Sequence, residues 1–121
     1  MKNNLCMEKE EPWGKWENLL VYHHGMGYKV KRITVSPKEC LSLQRHQYRD
    51  EFWVVVSGTG KVTLGKDVFF LQRGKSVFIP KTIPHRGENP GGIPLTIIEV
   101  QIGELLEEDD IVRIEDRYGR A

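Results

Sequence analysis

Short apolar runs separated by turn residues occupy most of the chain. The runs are rich in β-branched and aromatic residues, and sequences such as SGTG, QRGK and ENPGGIP lie between them. Short strands spaced about 8–12 residues apart by such turns indicate an antiparallel sandwich or barrel. No segment before residue 103 repeats its apolar positions with a helical period. The predicted strands are residues 28–35, 41–44, 52–56, 61–64, 68–71, 76–79 and 95–102.

The two ends of the chain depart from this pattern. The first ten residues are polar and acidic, which predicts a flexible lead-in (residues 1–10) before a single domain over residues 11–121. The tail after residue 103 is strongly acidic, and Ile111, Ile114 and Tyr118 are spaced to share one side of a short segment. We therefore expect an all-β barrel with a short C-terminal arm, helical or irregular, that packs on it.

Composition narrows the class of protein and its partners. The 121 residues favour one domain, and 39% hydrophobic with 29% charged residues is typical of a soluble globular chain. A net charge of +1 gives no electrostatic reason to expect nucleic acid as a partner. No apolar run reaches the roughly 18 residues of a membrane span, so no membrane partner is expected. Without a signal sequence or a cysteine framework, the expected location is the cytoplasm.

Residue types that bind metal ions lie near the middle of the chain. Gln44 and His46 are two positions apart, so in a strand both side chains point to the same face. Glu51 follows a polar stretch and opens the apolar run FWVVV, and a hairpin there returns Glu51 to the side of His46. A further histidine, His85, lies in the later sequence GKSVFIPKTIPHRGEN.

The spacing of these residues resembles the two motifs of the cupin family. H-x4-E-x6-G at His46, Glu51 and Gly58 matches the second half of the first motif, with Gln44 in place of its first histidine. The resemblance implies a cupin fold, which is a double-stranded β-helix or jelly-roll barrel. The second motif is matched by Gly74, Pro80, His85 and Asn89.

A wider resemblance extends from about Glu11 to Arg120. The segments EPWGKWE, YKVKRITVSP, EFWVVVSGTG and EDDIVRIEDRYGR are similar to the cupin domain of type II mannose-6-phosphate isomerases. In that family the domain often follows a mannose-1-phosphate guanylyltransferase domain, whose glycine-rich signature this sequence lacks, so the resemblance implies the isomerase half. Lys38 and Thr82 stand where glycines are usual, in turns where a glycine can be needed for positive φ.

The resemblance implies one divalent metal ion held by Gln44, His46, Glu51 and His85. Zinc is the first choice, and mixed N/O ligands also suit iron, manganese or nickel. Such a set contains no thiolate, and unlike a closed structural zinc site it suits a centre with an open position. With one carboxylate, a divalent ion would leave a net charge of about +1, which suits the enediolate of an aldose–ketose isomerisation. The implied reaction interconverts mannose 6-phosphate and fructose 6-phosphate.

Substrate phosphate requires cations, and proton transfer requires a carboxylate or lysine near the sugar. The resemblance favours Arg32 and Arg86 for the phosphate and Lys31 as a third basic residue at the site. Alternation allows either Lys29 and Lys31, or Val30 and Arg32, to face inward, but not both sets. Glu99 lies on the last apolar run and is the candidate base, with Lys31 as the second catalytic candidate. The five cations considered are Lys29, Lys31, Arg32, Arg49 and Arg86.

The sequence leaves two alternative functions open and also predicts an oligomeric state. The stretch RHQYRDEF around His46 departs from the family's usual residues, so the substrate could be another phosphorylated sugar, acted on by an isomerase or epimerase. The alternative from a different class is a non-catalytic cupin that binds a metal or a sugar. We also expect a homodimer, because such barrels often pair their sheets to cover exposed edges.

Overall fold

The computed structural model describes residues 8–22 and 27–120, which form eleven strands and no helix. Strand boundaries fall at the glycine, proline and polar turns seen in the sequence. The strands are β1 (Glu8–Glu11), β2 (Gly14–Tyr22), β3 (Gly27–Val35), β4 (Leu43–Arg45), β5 (Arg49–Ser57), β6 (Gly60–Leu64), β7 (Asp67–Leu71), β8 (Ser76–Ile79), β9 (His85–Glu88), β10 (Leu95–Gly103) and β11 (Val112–Glu115).

The strands form two antiparallel sheets around a shared core. One sheet has six strands in the order β1-β2-β3-β10-β5-β8, and the other has five in the order β11-β4-β9-β6-β7. Trp53 and Ile97 of the first sheet and Val62 and Leu71 of the second belong to one cluster of buried residues. The all-β prediction is therefore confirmed, with the two-sheet arrangement expected of a jelly-roll barrel.

The interior of the barrel has an apolar end and a polar end. Each of β3, β5 and β10 buries alternate residues, and their register brings buried apolar residues together at one end and buried polar residues together at the other, with Glu99 opposite Trp53 where the two ends meet. The apolar end contains Ile33, Val35, Trp53, Val55, Leu95 and Ile97. The polar end contains Lys29, Lys31, Arg49, Glu51, Glu99 and Gln101. Buried polar groups need partners, so this end is where a functional site is expected.

Both ends of the chain differ from the prediction. Residues 1–7 of the expected lead-in lie outside the described residues, but Glu8–Glu11 forms a strand that pairs with β2. The C-terminal arm (residues 104–120) packs on the barrel as expected, through the buried side chain of Leu106 and through Tyr118. It contains a strand, β11, that pairs with β4 at the edge of the five-stranded sheet. Ile114 is 43% exposed, so it is not part of the packed side that we expected.

Lys38 and Thr82 adopt the left-handed backbone conformation, with φ of 66° and 72°. The expectation that these turns need positive φ is thus confirmed. A β-branched residue such as Thr82 is strained there, by about 1–2 kcal/mol. The turn is held by the Thr82 amide, which donates to the carbonyl oxygen of His46 at 2.6 Å.

Part of the outer face of the six-stranded sheet is apolar. Tyr28, Ile102 and Phe78 are 40%, 39% and 49% exposed on it. This is the kind of surface that the predicted homodimer would cover, and the dimer stays a prediction. No helix in the described part of the chain is long and apolar enough to cross a membrane.

Candidate active site

Three of the four predicted metal ligands meet at the polar end of the barrel. His46 Nε2 lies 3.0 Å from Glu51 Oε2, and His85 Nε2 lies 3.8 Å from Glu51 Oε1. Candidate ligand atoms of the three residues all lie within 4.8 Å of one another, and all three side chains are buried. Two nitrogens and a carboxylate oxygen at this spacing can share one metal ion.

Backbone carbonyls orient both imidazole rings. His46 Nδ1 lies 2.6 Å from the carbonyl oxygen of Asp110, and His85 Nδ1 lies 2.9 Å from that of Ile83. A carbonyl only accepts hydrogen bonds, so each Nδ1 carries the proton and each Nε2 turns a lone pair towards Glu51. Histidines that bind metals are held in this way.

The electrostatics of the cluster favour a metal ion over a proton. His46 Nε2 and the Glu51 carboxylate are both acceptors and lie 3.0 Å apart, with the guanidinium group of Arg49 against both, at 3.4 Å from Nε2 and 2.8 Å from Glu51 Oε2. Burial lowers the pKa of His46, which disfavours a proton there near neutral pH. The Nε2 atom of His85 is buried with no hydrogen-bond partner in the described part of the chain. These residues therefore fit the implied metal.

Glu51 is held ionised by its surroundings. Burial alone would raise the pKa of Glu51, but the positive charges beside it, of His46 when its ring is protonated and of Arg49, outweigh burial and lower this pKa to about 2. Arg49 Nε donates to Glu51 Oε2 at 2.8 Å, and Trp53 Nε1 donates to Oε1 at 3.0 Å. A carboxylate fixed in its charged form is ready to bind a cation at any physiological pH.

Gln44, the fourth predicted ligand, lies directly beside the cluster. It is the register partner of His85 across β4 and β9, and it lines the same cavity as His46 and Glu51. Its amide nitrogen donates to Ser42 Oγ at 3.1 Å. The amide oxygen is therefore the atom that Gln44 can offer to a metal.

The two predicted catalytic residues also line this cavity. Glu99 is the register partner of Lys31, and both side chains are buried. Burial, followed by the charge of Glu51, raises the pKa of Glu99 to about 7. Lys31 Nζ donates to Glu108 Oε1 at 2.7 Å and lies 3.7 Å above the ring of Trp16. The cavity thus holds one carboxylate fixed as an anion and one that titrates near neutral pH.

The two arginines predicted to bind phosphate do not face this cavity. Arg32 alternates with Lys31 on β3, so its side chain lies on the outer face, 47% exposed and paired with Glu17. Arg86 alternates with His85 on β9 and donates to the carbonyl oxygen of Glu115 at 3.2 Å. Strand alternation therefore turns both arginines away from this cavity, and the phosphate role predicted for them stays a prediction.

The C-terminal arm supplies site residues that the sequence analysis did not identify. The carboxylate of Asp110 accepts from the backbone amides of Gln47 and Tyr48, at 2.9 Å and 3.0 Å. Glu108 bridges Lys31 and Lys29, and Arg113 lines the cavity. No local sequence pattern marks these residues, because their partners lie more than 60 positions away in the chain.

Sequence comparison with known proteins identifies the family to which this chain is related. The family model for the C-terminal domain of mannose-6-phosphate isomerase matches residues 2–116. A mannose-1-phosphate guanylyltransferase of Escherichia coli K12 is 52% identical over 120 residues, which are 99% of this chain and 24% of that protein. The alginate biosynthesis protein AlgA of Pseudomonas syringae is 50% identical over 95% of this chain and 23% of its own length. The chain therefore spans about a quarter of the curated relatives that it matches.

Solved structures share the fold at low identity. The capsular polysaccharide assembling protein CapF of Staphylococcus aureus has a TM-score of 0.76 at 17% identity, over 91% of this chain and 32% of that one. A Klebsiella pneumoniae protein with a double-stranded β-helix domain has a TM-score of 0.69 at 18% identity, over 83% of each chain. The predicted cupin fold is thus confirmed, and the chain belongs to the family of mannose-6-phosphate isomerase C-terminal domains.

Proposed function

We propose that this chain is a metal-dependent sugar-phosphate isomerase of the cytoplasm that interconverts mannose 6-phosphate and fructose 6-phosphate. One observation carries the proposal. His46 and Glu51, two members of a cluster suited to a divalent metal, line the same cavity as a buried carboxylate, Glu99, whose pKa is about 7. Metal ligands and a group that gains and loses a proton near neutral pH are two components that a metal-dependent aldose–ketose isomerisation uses.

The chain's own residues provide a place for the metal and for the sugar. Gln44, His46, Glu51 and His85 would hold the metal, with zinc as our first choice. When bound, the metal supplies Lewis-acid stabilisation for negative charge that develops on the sugar oxygens at C1 and C2. Trp16 is the register partner of Ile33 and lines the cavity beside it, which gives the sugar's C–H groups an apolar wall.

Glu99 is the group we assign to the proton transfer. The reaction removes a proton from C2 of the aldose and returns a proton to C1, while one hydroxyl proton moves between the two oxygens. A carboxylate with a pKa of about 7 can both accept and return the carbon-bound proton at neutral pH. Lys31, its cross-strand partner, is cationic and stabilises the ionised form of Glu99, which is the form that acts as base.

The test measures bound metal and turnover on the same preparation. We expect the purified chain to bind one divalent ion per molecule and to isomerise mannose 6-phosphate, with activity lost to a chelator and restored by metal. Glu99→Gln should lower kcat by about 100-fold or more with metal content unchanged. The matched control is Glu104→Gln, an exposed carboxylate near the start of the arm, which should behave as wild type.

Other results would point to the alternatives. Bound metal without turnover of mannose 6-phosphate would contradict the proposal. Activity on a different phosphorylated sugar would then identify a related isomerase or epimerase, and no turnover of any such sugar would leave a binding protein.

A further inference from the structure

Five cationic side chains line the cavity of the candidate active site, and four of them have a carboxylate partner. The pairs are Lys9 with Glu11, Lys31 with Glu108, Arg49 with Glu51, and Arg120 with both Glu11 and Asp116. Arg113 is the exception, since no ion pair joins it to a carboxylate anywhere in residues 8–22 and 27–120. Its Nε is buried and has no hydrogen-bond partner there.

An arginine that has no carboxylate partner, and whose Nε has no acceptor, is suited to bind an anion. A buried N–H without an acceptor costs free energy, which a ligand oxygen would recover. The guanidinium group presents parallel N–H donors in a planar fork that matches the oxygens of a phosphate. Lys31 differs in this respect, because a phosphate that reached its ammonium group would first have to displace Glu108 at 2.7 Å.

Strand register places Arg113 in line with the candidate metal ligands. Arg113 on β11 is the register partner of Gln44 on β4, which in turn is the register partner of His85 on β9. Directly opposite residues of antiparallel strands share a face, so the three side chains form a row in which Arg113 and Gln44 line the cavity and His85 belongs to the metal cluster. Two strand spacings, roughly 10 Å, separate the backbones of Arg113 and His85.

This separation suits the chemistry of a hexose 6-phosphate. The reacting carbons C1 and C2 lie at one end of the sugar and the phosphate at the other. A sugar whose oxygens at C1 and C2 lie against His46, Glu51 and His85 therefore projects its phosphate away from that cluster. Arg113, two strands away on the same wall, lies on the side where the phosphate needs a partner.

We propose that Arg113 binds the phosphate of the sugar substrate and thereby selects phosphorylated over free sugars. This inference rests on the proposed function, because it takes a sugar phosphate as the ligand of the cavity. It replaces Arg32 and Arg86, whose side chains lie outside the cavity, with a cation that lines it.

The experiment titrates mannose 6-phosphate into the metal-loaded full chain by calorimetry and measures isomerisation alongside. Arg113→Gln should weaken mannose 6-phosphate binding at least about tenfold and raise KM in proportion, with kcat and metal content nearly unchanged. Arg113→Lys keeps the positive charge but removes the planar pair of N–H donors. The affinity of this variant for mannose 6-phosphate should therefore lie between those of wild type and Arg113→Gln. Arg45→Gln is the matched control, since Arg45 lies on β4 beside Gln44 but alternates to the opposite face.

Failure of this inference is distinguishable from failure of the proposed function. Wild-type affinity in both Arg113→Gln and Arg113→Lys overturns the assignment of Arg113 even if the chain turns over its substrate. Binding of mannose 6-phosphate that depends on Arg113 without turnover supports the phosphate site and contradicts the isomerase. A wild-type chain that neither binds nor turns over mannose 6-phosphate overturns both. If Arg113→Gln does not fold, the same comparison is made with Arg113→Lys.

Discussion

The candidate site is built from two regions that contribute in different ways. The motif region, residues 44–58 and 74–89, supplies the atoms that would touch a metal, from His46, Glu51 and His85. The C-terminal arm supplies none of the three, yet the carbonyl oxygen of Asp110 orients His46 and that of Glu107 accepts from Arg49 at 3.2 Å. One region provides the ligands, and the other helps to position His46 and Arg49.

This division has consequences for mutation. Removal of a ligand removes a metal bond outright, whereas removal of a supporting contact leaves the ligand in place with more freedom to move. Loss of a metal ligand of the motif region should therefore abolish metal binding, while loss of a supporting contact of the arm should weaken it. A change in the arm that abolished metal binding, or loss of a ligand that left it intact, would break this comparison.

The largest expected effect is loss of a histidine ligand. His85→Ala and His46→Ala should each lower metal affinity by more than about 100-fold, because even the partners of metal ligands are worth about 10–100-fold. Competition against a chromophoric chelator measures the affinity. The control is Glu88→Gln, on the same strand as His85 but at its far end and outside the cavity. Unchanged affinity in either histidine variant would contradict the site itself.

A smaller effect is expected from Asp110, whose carboxylate holds the turn after His46. Asp110→Ala leaves the amides of Gln47 and Tyr48 without their acceptor, which should lower the free energy of unfolding by about 2 kcal/mol. The looser turn should also weaken metal affinity by about tenfold. Urea unfolding and the same chelator competition measure the two effects. Asp109→Ala, an exposed neighbour, is the control, and equal behaviour of the two variants would show that the arm does not support the site.

The motif region was predictable because its information is local. His46 and Glu51 are five positions apart, and the short connection between β4 and β5 leaves both side chains buried inside the barrel. The hairpin that we expected there is wrong, because β4 and β5 lie in different sheets and do not pair with each other. The left-handed turn at Thr82 was also expected, from the position where a glycine is usual. Repeated apolar runs and turn residues were enough to predict an all-β fold, since strand patterns depend on near neighbours.

The other features of the site depend on the register between distant strands, which no local sequence pattern predicts. Alternation allowed Lys31 or Arg32 to face inward, and only the folded chain shows which one does, since Lys31 is buried and Arg32 is exposed. The contact of His46 with Asp110 spans 64 positions. Arg113 enters the cavity because β11 joins β4 at a sheet edge, in a segment that we expected to be helical or irregular.

The smallest expected effect concerns Glu108, the arm carboxylate that bridges two lysines. Its side chain is 39% exposed, so solvent screens the ion pairs with Lys29 and Lys31. Glu108→Gln should therefore lower the free energy of unfolding by about 1 kcal/mol or less at pH 7. The pKa of Glu108 is lowered, since the charge and hydrogen bonds of Lys31 and Lys29 outweigh the opposing effect of burial. A carboxylate with a lowered pKa binds its proton more weakly in the folded than in the unfolded chain, so its contribution is present above the unfolded pKa and is lost at lower pH.

Glu108→Gln should therefore be less stable than wild type at pH 7, and the difference should disappear as the pH falls below about 4.5 towards the lowered pKa of Glu108. High salt should also reduce the difference, because the pair is partly exposed. Urea unfolding at several pH values measures it, with Glu107→Gln as the exposed control on the same arm. A difference that grew on acidification would show that Glu108 is not held as an anion by the two lysines, and the arm would then support the site through its backbone and Asp110 alone.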